Sequence, residues 1–158
     1  KFNYKIMFKK NFTAILVLMF LTSCGYQTIF ASKDSDFAIS KITIQKNNKT
    51  DSVIQRSLKV YQNSKNKNRF YDLEIKSKTN KDTLAKDEKG DSKIFSMRLV
   101  VELKIIENNS VKSKKNFSES FTYDNESNKF ELSKYEKQIK KNLIDKIVEK
   151  IIIHLHSI

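Results

Sequence analysis

Proline is absent from the chain, glycine occurs twice, cysteine once and histidine twice. Each scarcity closes off a class of chemistry. A single cysteine, Cys24, makes no intrachain disulfide, and with only His154 and His156 to accompany it the chain is poor material for a metal centre. The two glycines, Gly25 and Gly90, stand too far apart to build a phosphate-cradling or dinucleotide-binding loop, so no nucleotide or other cofactor site is expected. His154 and His156 are two apart in what reads as the last turn of a helix. They point to different sides and suit the helix dipole better than a ligand pair. Asp87, Glu88 and Asp91 fall in a polar stretch with no apolar pocket to raise a carboxylate pKa. Nothing here predicts an enzyme. Long apolar runs are also lacking: Phe12–Leu21 is well short of the ~20 residues that span a bilayer core, and no second run follows it.

What is present gives Cys24 a role. Lys9 and Lys10 form a basic start, Phe12–Leu21 an apolar middle, and Thr22 and Ser23 a small-residue approach, which is the three-part layout of an export signal. Leu21-Thr22-Ser23-Cys24 resembles the bacterial lipobox. That resemblance implies a thioether lipid on Cys24 and cleavage before it, the thiol serving as the nucleophile that accepts the lipid. Met7 is the expected start of this leader, which covers residues 1–23. Residues 24–36 then form a lipidated tether, and residues 37–158 one domain, large enough for a core of its own. Burial of an acyl chain contributes about 0.8 kcal/mol per methylene, and more than one chain turns marginal membrane association into stable anchoring.

Lys and Arg number 31 against 18 Asp and Glu, a formal charge of +13. Removing the leader takes away Lys1, Lys5, Lys9 and Lys10 and no acid, so the domain stays strongly basic. Such a field attracts nucleic acid, anionic headgroups or acidic proteins. An exported protein rarely meets nucleic acid, which leaves lipid or protein. For many of the lysines a solvated surface is explanation enough.

Periodicity predicts an α+β domain of order β-α-β-β-β-α. Phe37, Ile39, Ile42 and Ile44 alternate with a change of phase at Ser40 and Lys41, as a bulged strand would. Thr50 or Asp51 can cap a helix over Asp51–Gln62 with Val53, Ile54, Leu58 and Tyr61 on one face. Strands follow at Phe70–Lys78, at Ile94–Glu107 and, after the turn Glu107–Ser110, at Val111–Tyr123. From Leu132 to Leu155 apolar residues recur every three or four positions, the stripe of a long helix that covers a sheet with one apolar face. The expected fold is a four-stranded, mostly antiparallel sheet with both helices on one side. The stretch Lys78–Asp91 reads as a long polar connection.

If the last three strands run up, down and up, that connection and the one before the final helix emerge together. Lys81, Lys86 and Lys89 would then meet Lys129 and Lys134 in a cationic head suited to phosphorylated sugars or acidic headgroups. Asp82, Asp87, Glu88, Asp91, Asp124, Glu126 and Glu131 share the region and offset much of its charge.

Cys24-Gly25-Tyr26-Gln27 behind a lipobox, followed by this order of elements, resembles the LPS-assembly lipoprotein LptE family. Thr28-Ile29-Phe30 stands where that family often carries a proline. The resemblance implies anchoring by Cys24 in the outer membrane, a lean that Gly25 supports where an aspartate would favour inner-membrane retention. It further implies an LptD-like β-barrel as partner, with the domain as its plug and assembly aid, and lipopolysaccharide as ligand of the five lysines. An envelope enzyme or inhibitor, and a solitary lipid-binding or structural lipoprotein, remain alternatives. Mass spectrometry of the native N-terminal peptide is expected to find an acylated Cys24 with residues 1–23 gone, and Cys24→Ala to retain the leader; an unmodified Cys24 in the wild-type chain overturns the reading.

Overall fold

The computed structural model describes residues 35–44, 48–62 and 67–158; the predicted leader and lipidation site at Cys24 lie outside them. Strand β1 (Phe37–Ile44), helix α1 (Lys49–Leu58) with a 3-10 turn at Lys59–Tyr61, strands β2 (Arg69–Lys86), β3 (Ser92–Glu107) and β4 (Ser110–Asp124), and helix α2 (Lys129–Ser157) follow in the expected order. The four strands form one sheet in sequence order. β1 pairs with β2 in parallel, which demands a crossover, and α1 supplies it; the β2–β3 and β3–β4 pairs are antiparallel. The register skips Ser40 between Ile39 and Lys41, the bulge that lets Ile39 and Ile42 both face the core despite an odd spacing.

Alternation along the strands makes one face of the sheet apolar. Tyr71, Leu73 and Ile75 of β2, Met97, Leu99, Val101, Leu103 and Ile105 of β3, and Phe117 and Tyr123 of β4 are buried on it. The helices cover this face: α1 contributes Ile54 and Leu58, and α2 contributes nine residues from Leu132 to Leu155, all joined in one core. The opposite face carries Glu74, Lys76, Glu102, Lys104 and Lys114, none of them buried. At the β3–β4 turn Asn108 and Asn109 both take positive φ, 51° and 61°, as a tight two-residue hairpin requires and as asparagine tolerates.

Two expectations need correction. The polar stretch Lys78–Asp91 is not an open connection: β2 continues to Lys86, in register with β3 as far as Ser92, and only Asp87–Asp91 turns. That turn is held by Asp87, whose Oδ1 accepts from the backbone N–H of Lys89 (3.0 Å) and Asp91 (2.8 Å), and by Gly90 at φ +87°, a conformation that disfavours a side chain. The strand escapes the apolar pattern because both of its faces are wet at this end. The helix cap is likewise neither Thr50 nor Asp51. Asn48 caps α1 by accepting from the Asp51 N–H at 2.7 Å, which leaves the Asp51 carboxylate free for another task.

That task is to fasten α1 to the sheet. Asp51 is fully buried, and its Oδ1 accepts from both the backbone N–H (3.0 Å) and the hydroxyl of Ser77, at the middle of β2. Asn48 adds a bond from Nδ2 to the Ser77 carbonyl at 3.4 Å. Removing the carboxylate strands a buried N–H and hydroxyl, a loss of about 1–3 kcal/mol. Asp51→Ala is expected to destabilise the domain by that amount in chemical denaturation, and Lys49→Ala, two residues away and exposed, to leave it unchanged.

Candidate functional site

The antiparallel order of β2, β3 and β4 brings the Asp87–Asp91 turn and the β4–α2 connection to one end of the sheet. Asn125 ties them together. Its N–H donates to the Lys93 carbonyl at 2.8 Å and its Nδ2 to the Ser92 carbonyl at 2.7 Å, so the chain leaving β4 is bonded to the start of β3. Asn128 then caps α2, accepting from the N–H groups of Phe130 and Glu131 at 3.0 and 3.3 Å. Lys86 ends β2, Lys89 lies in the turn, Lys129 opens α2 and Lys134 lies in its second turn. All four are exposed. Among the described residues none of the four has a carboxylate at ion-pair distance. Asp87 is committed to its own turn. Apolar side chains are exposed at the same end of the fold: Phe130 is 74% exposed and Leu84, left out of the β2–β3 register, 59%.

Lys81 is differently placed. It lies one layer inward on β2, where its Nζ is 2.5 Å from Glu136 of α2 and 3.8 Å above the ring of Phe95. Glu136 Oε1 also accepts from the hydroxyl of Tyr123 at 2.8 Å, and Tyr123 meets Tyr135 edge-on with centroids 5.9 Å apart. Lys81, Glu136 and Tyr123 therefore lock β2, β4 and α2 together just beneath the free lysines.

Sequence periodicity misassigns one residue of this lock. Tyr135 falls at the spacing of the apolar stripe that begins at Leu132 but is 44% exposed, and Glu136 takes the inward place instead. The signal was there: Glu136 follows Leu132 by four and precedes Ile139 by three, the spacing of a core position. Burial alone would raise its pKa, but the hydrogen bonds from Lys81 and Tyr123 together with the Lys81 charge outweigh that and hold the carboxyl below its ordinary value. Burial, then the bond and charge of Glu136, push the Tyr123 phenol well above the usual range.

The two histidines do diverge. His154 lies against Phe117 (6.0 Å between ring centroids) with Nε2 3.2 Å from the Ser113 hydroxyl; burial and the nearby Lys115 charge lower its pKa. His156 meets Phe37 edge-on at 4.9 Å, and its Nδ1 is 3.4 Å from Asp36. Both pack the end of α2 onto its neighbours. At this same end Arg69 bonds Asp36 and the carbonyl of Ile158, so the start of β1 and the end of α2 are pinned opposite the lysine-bearing tip. Among the described residues no group of acids, histidines and cysteines is arranged to hold a metal ion, and no helix is long and apolar enough to cross a membrane.

With this geometry in hand, solved structures resemble the domain. The minor lipoprotein of Acinetobacter baumannii superposes with a TM-score of 0.56 at 15% identity, over 75% of this chain and 90% of that one. Rare lipoprotein B of Shewanella oneidensis gives 0.57 at 12% identity, over 76% and 94%. Lipoprotein B of Nitrosomonas europaea gives 0.57 at 14%, over 77% and 83%. The domain shares their fold. No protein-family model and no curated protein matches the chain.

The lock sets a pH dependence. A carboxylate whose folded pKa is depressed stabilises the fold above its unfolded pKa, the ordinary 4.5 of glutamate, and that contribution is lost as pH falls from there through the folded value. Glu136→Gln is expected to lower the Tm at pH 7, and the gap from wild type to close progressively below pH 4.5 in thermal melts; a gap independent of pH would show that Glu136 is not held charged by Lys81.

Proposed function

We propose that the protein is a lipoprotein of the bacterial outer membrane that partners an LptD-like β-barrel and assists the passage of lipopolysaccharide to the cell surface. One observation carries this reading: a lipobox-like sequence ending at Cys24 precedes a domain with the fold of lipoproteins. Cys24 is the anchor. The chain enters the domain from it at Phe37, next to Arg69, while Lys86 at the far end of β2 belongs to the tip. At about 3.3 Å per residue those ends lie on the order of 55 Å apart. Entry of the chain at one end of the sheet and a cationic tip at the other suit a body that reaches into a barrel, and a wet lumen accepts its charged exterior.

The tip supports the choice of ligand. Lipopolysaccharide presents phosphates and acid sugars beside acyl chains, and the tip sets unpaired lysines at the same end of the fold as Leu84 and Phe130. Lysines act there as point charges on phosphate, and the exposed apolar groups lie against the chains. Lys86, Lys89, Lys129 and Lys134 make this contact, while Lys81 supports it from beneath through Glu136.

Reversal of Lys86, Lys89 and Lys129 to glutamate is expected to weaken binding of purified lipopolysaccharide by about tenfold or more, on the scale of 0.2–1 kcal/mol per exposed charge pair plus repulsion, with the circular dichroism unchanged. Affinity purification of the native protein is expected to recover an outer-membrane barrel. Intact binding in the triple variant removes the site, and recovery of lipid without any barrel makes this a solitary lipoprotein.

A further inference from the structure

Among the described residues β4 is the last strand of the sheet and bonds to β3 only, so its outer edge is open along Ser110–Asp124, nearly twice the length of β1 at the other edge. Its surroundings are not neutral. On the helix-free face the strands set side chains in rows, and one row runs Glu74, Lys104, Lys114. Glu74 holds Lys104 at 3.2 Å, but Lys114 sits directly across from Lys104 and, among the described residues, has no carboxylate of its own. Like charges opposed across a ladder are unfavourable, and the next place in the row, beyond Lys114, lies off the edge. In the neighbouring row Lys76 and Glu102 pair at 2.9 Å and end in the neutral Asn116, so of these two rows only the one that ends at Lys114 leaves a cation unmatched at the edge.

On the helix-covered face the same edge borders a trough of about 470 Å³ between β4 and the last turns of α2. Phe117 and Ile153 give it an apolar side, Ile153 being 55% exposed, and Lys115 stands at its rim without an acid partner, whereas Lys150 is taken by Glu119. A strand laid along β4 alternates its side chains between these surroundings, one beside Lys114 on the open face and the next into the trough.

We infer that the free edge of β4 takes up an extended acidic segment of a partner protein as a fifth strand. Backbone hydrogen bonds supply affinity, as in other strand additions. An acid next to Lys114 completes the row, and a small apolar residue fills the trough at Phe117 and Ile153. Lysines on an edge ordinarily blunt it against pairing with further strands; an acidic strand is the partner against which that device fails, while a second copy of this basic chain is not. The inference does not depend on the lipid anchor or on lipopolysaccharide.

The test uses the full chain in detergent micelles and a fluorescein-labelled peptide alternating glutamate with valine, beside two control peptides, one with lysine for glutamate and one with alternate amides N-methylated. The acidic peptide is expected to bind by fluorescence anisotropy and to slow hydrogen exchange at amides of β4 but not of β1. Both controls are expected to fail. Lys114→Gln and Lys115→Gln, exposed changes whose folding is checked by circular dichroism, are expected to weaken binding by about three- to fivefold each. Absence of binding, binding that tolerates N-methylation, protection confined to the lysine tip, or β4 protection that grows with protein concentration alone and so reports a second copy, would each overturn the assignment.

Discussion

The structure depends on the burial of one face of one sheet. β2, β3 and β4 alternate so regularly that Leu73, Ile75, Leu99, Val101, Leu103 and Ile105 all emerge on the same side, and a twisted sheet with that much apolar surface is stable only under a cover. α2 supplies most of it. Its nine buried residues run from Leu132 near the lysine-bearing tip to Leu155 near the start of β1, so one helix covers the length of the sheet. At about 0.8 kcal/mol per buried methylene the contact outweighs any single polar bond described above.

Polar groups settle what that apolar contact leaves undetermined. A greasy helix stripe on a greasy sheet face can slide; a carboxylate that must meet its donors cannot. Two acids do this work at separate points. Asp51 fastens α1 to the backbone of β2 at Ser77, and Glu136 fastens α2 to Tyr123 of β4 and Lys81 of β2. Both stand at positions where an apolar residue would satisfy the pattern, and each accepts two hydrogen bonds through one oxygen, Asp51 by Oδ1 and Glu136 by Oε1, which offset part of the cost of taking a carboxylate out of water. Lys81 is thereby drawn out of the cationic tip and into the scaffold.

Legibility in the sequence follows from the same division. Element order, the bulge at Ser40, the two-residue turn at Asn108 and Asn109 and the single-sided helix cover were all readable, because each is written in apolar periodicity or turn chemistry. The outer part of β2 was not. Thr79–Lys86 has no apolar rhythm, and its strand form comes from pairing with Ser92–Leu99, a long-range fact that a local pattern does not carry. The cap at Asn48 was missed for a related reason: Asp51 has the right chemistry to cap, and only the presence of Ser77 opposite explains why it is used elsewhere. At the tip the sequence placed the lysines at one end but could not separate those bound to acids from those left free. That separation is tertiary.

It is also the property that gives the exterior its character. Counting charges makes the protein uniformly basic, yet among the described residues three cations on the sheet are matched by cross-strand acids, Lys76 by Glu102, Lys104 by Glu74 and Lys112 by Glu107. Among the described residues cations without an acid stand at the turn end with Lys86 and Lys89, along the outer edge with Lys114 and Lys115, and on the helix-free face at Lys78 and Arg98. A strand inside a sheet has neighbours on both sides from which to draw an opposite charge, and a strand at the rim has only one. Unmatched lysines at a rim are the places where an anionic molecule gains the most by binding, because no internal ion pair must be broken first. Tip and edge answer to that one rule, and they differ only in what else comes with the charge: exposed aromatic and aliphatic groups at the tip, and open backbone bonds at the edge.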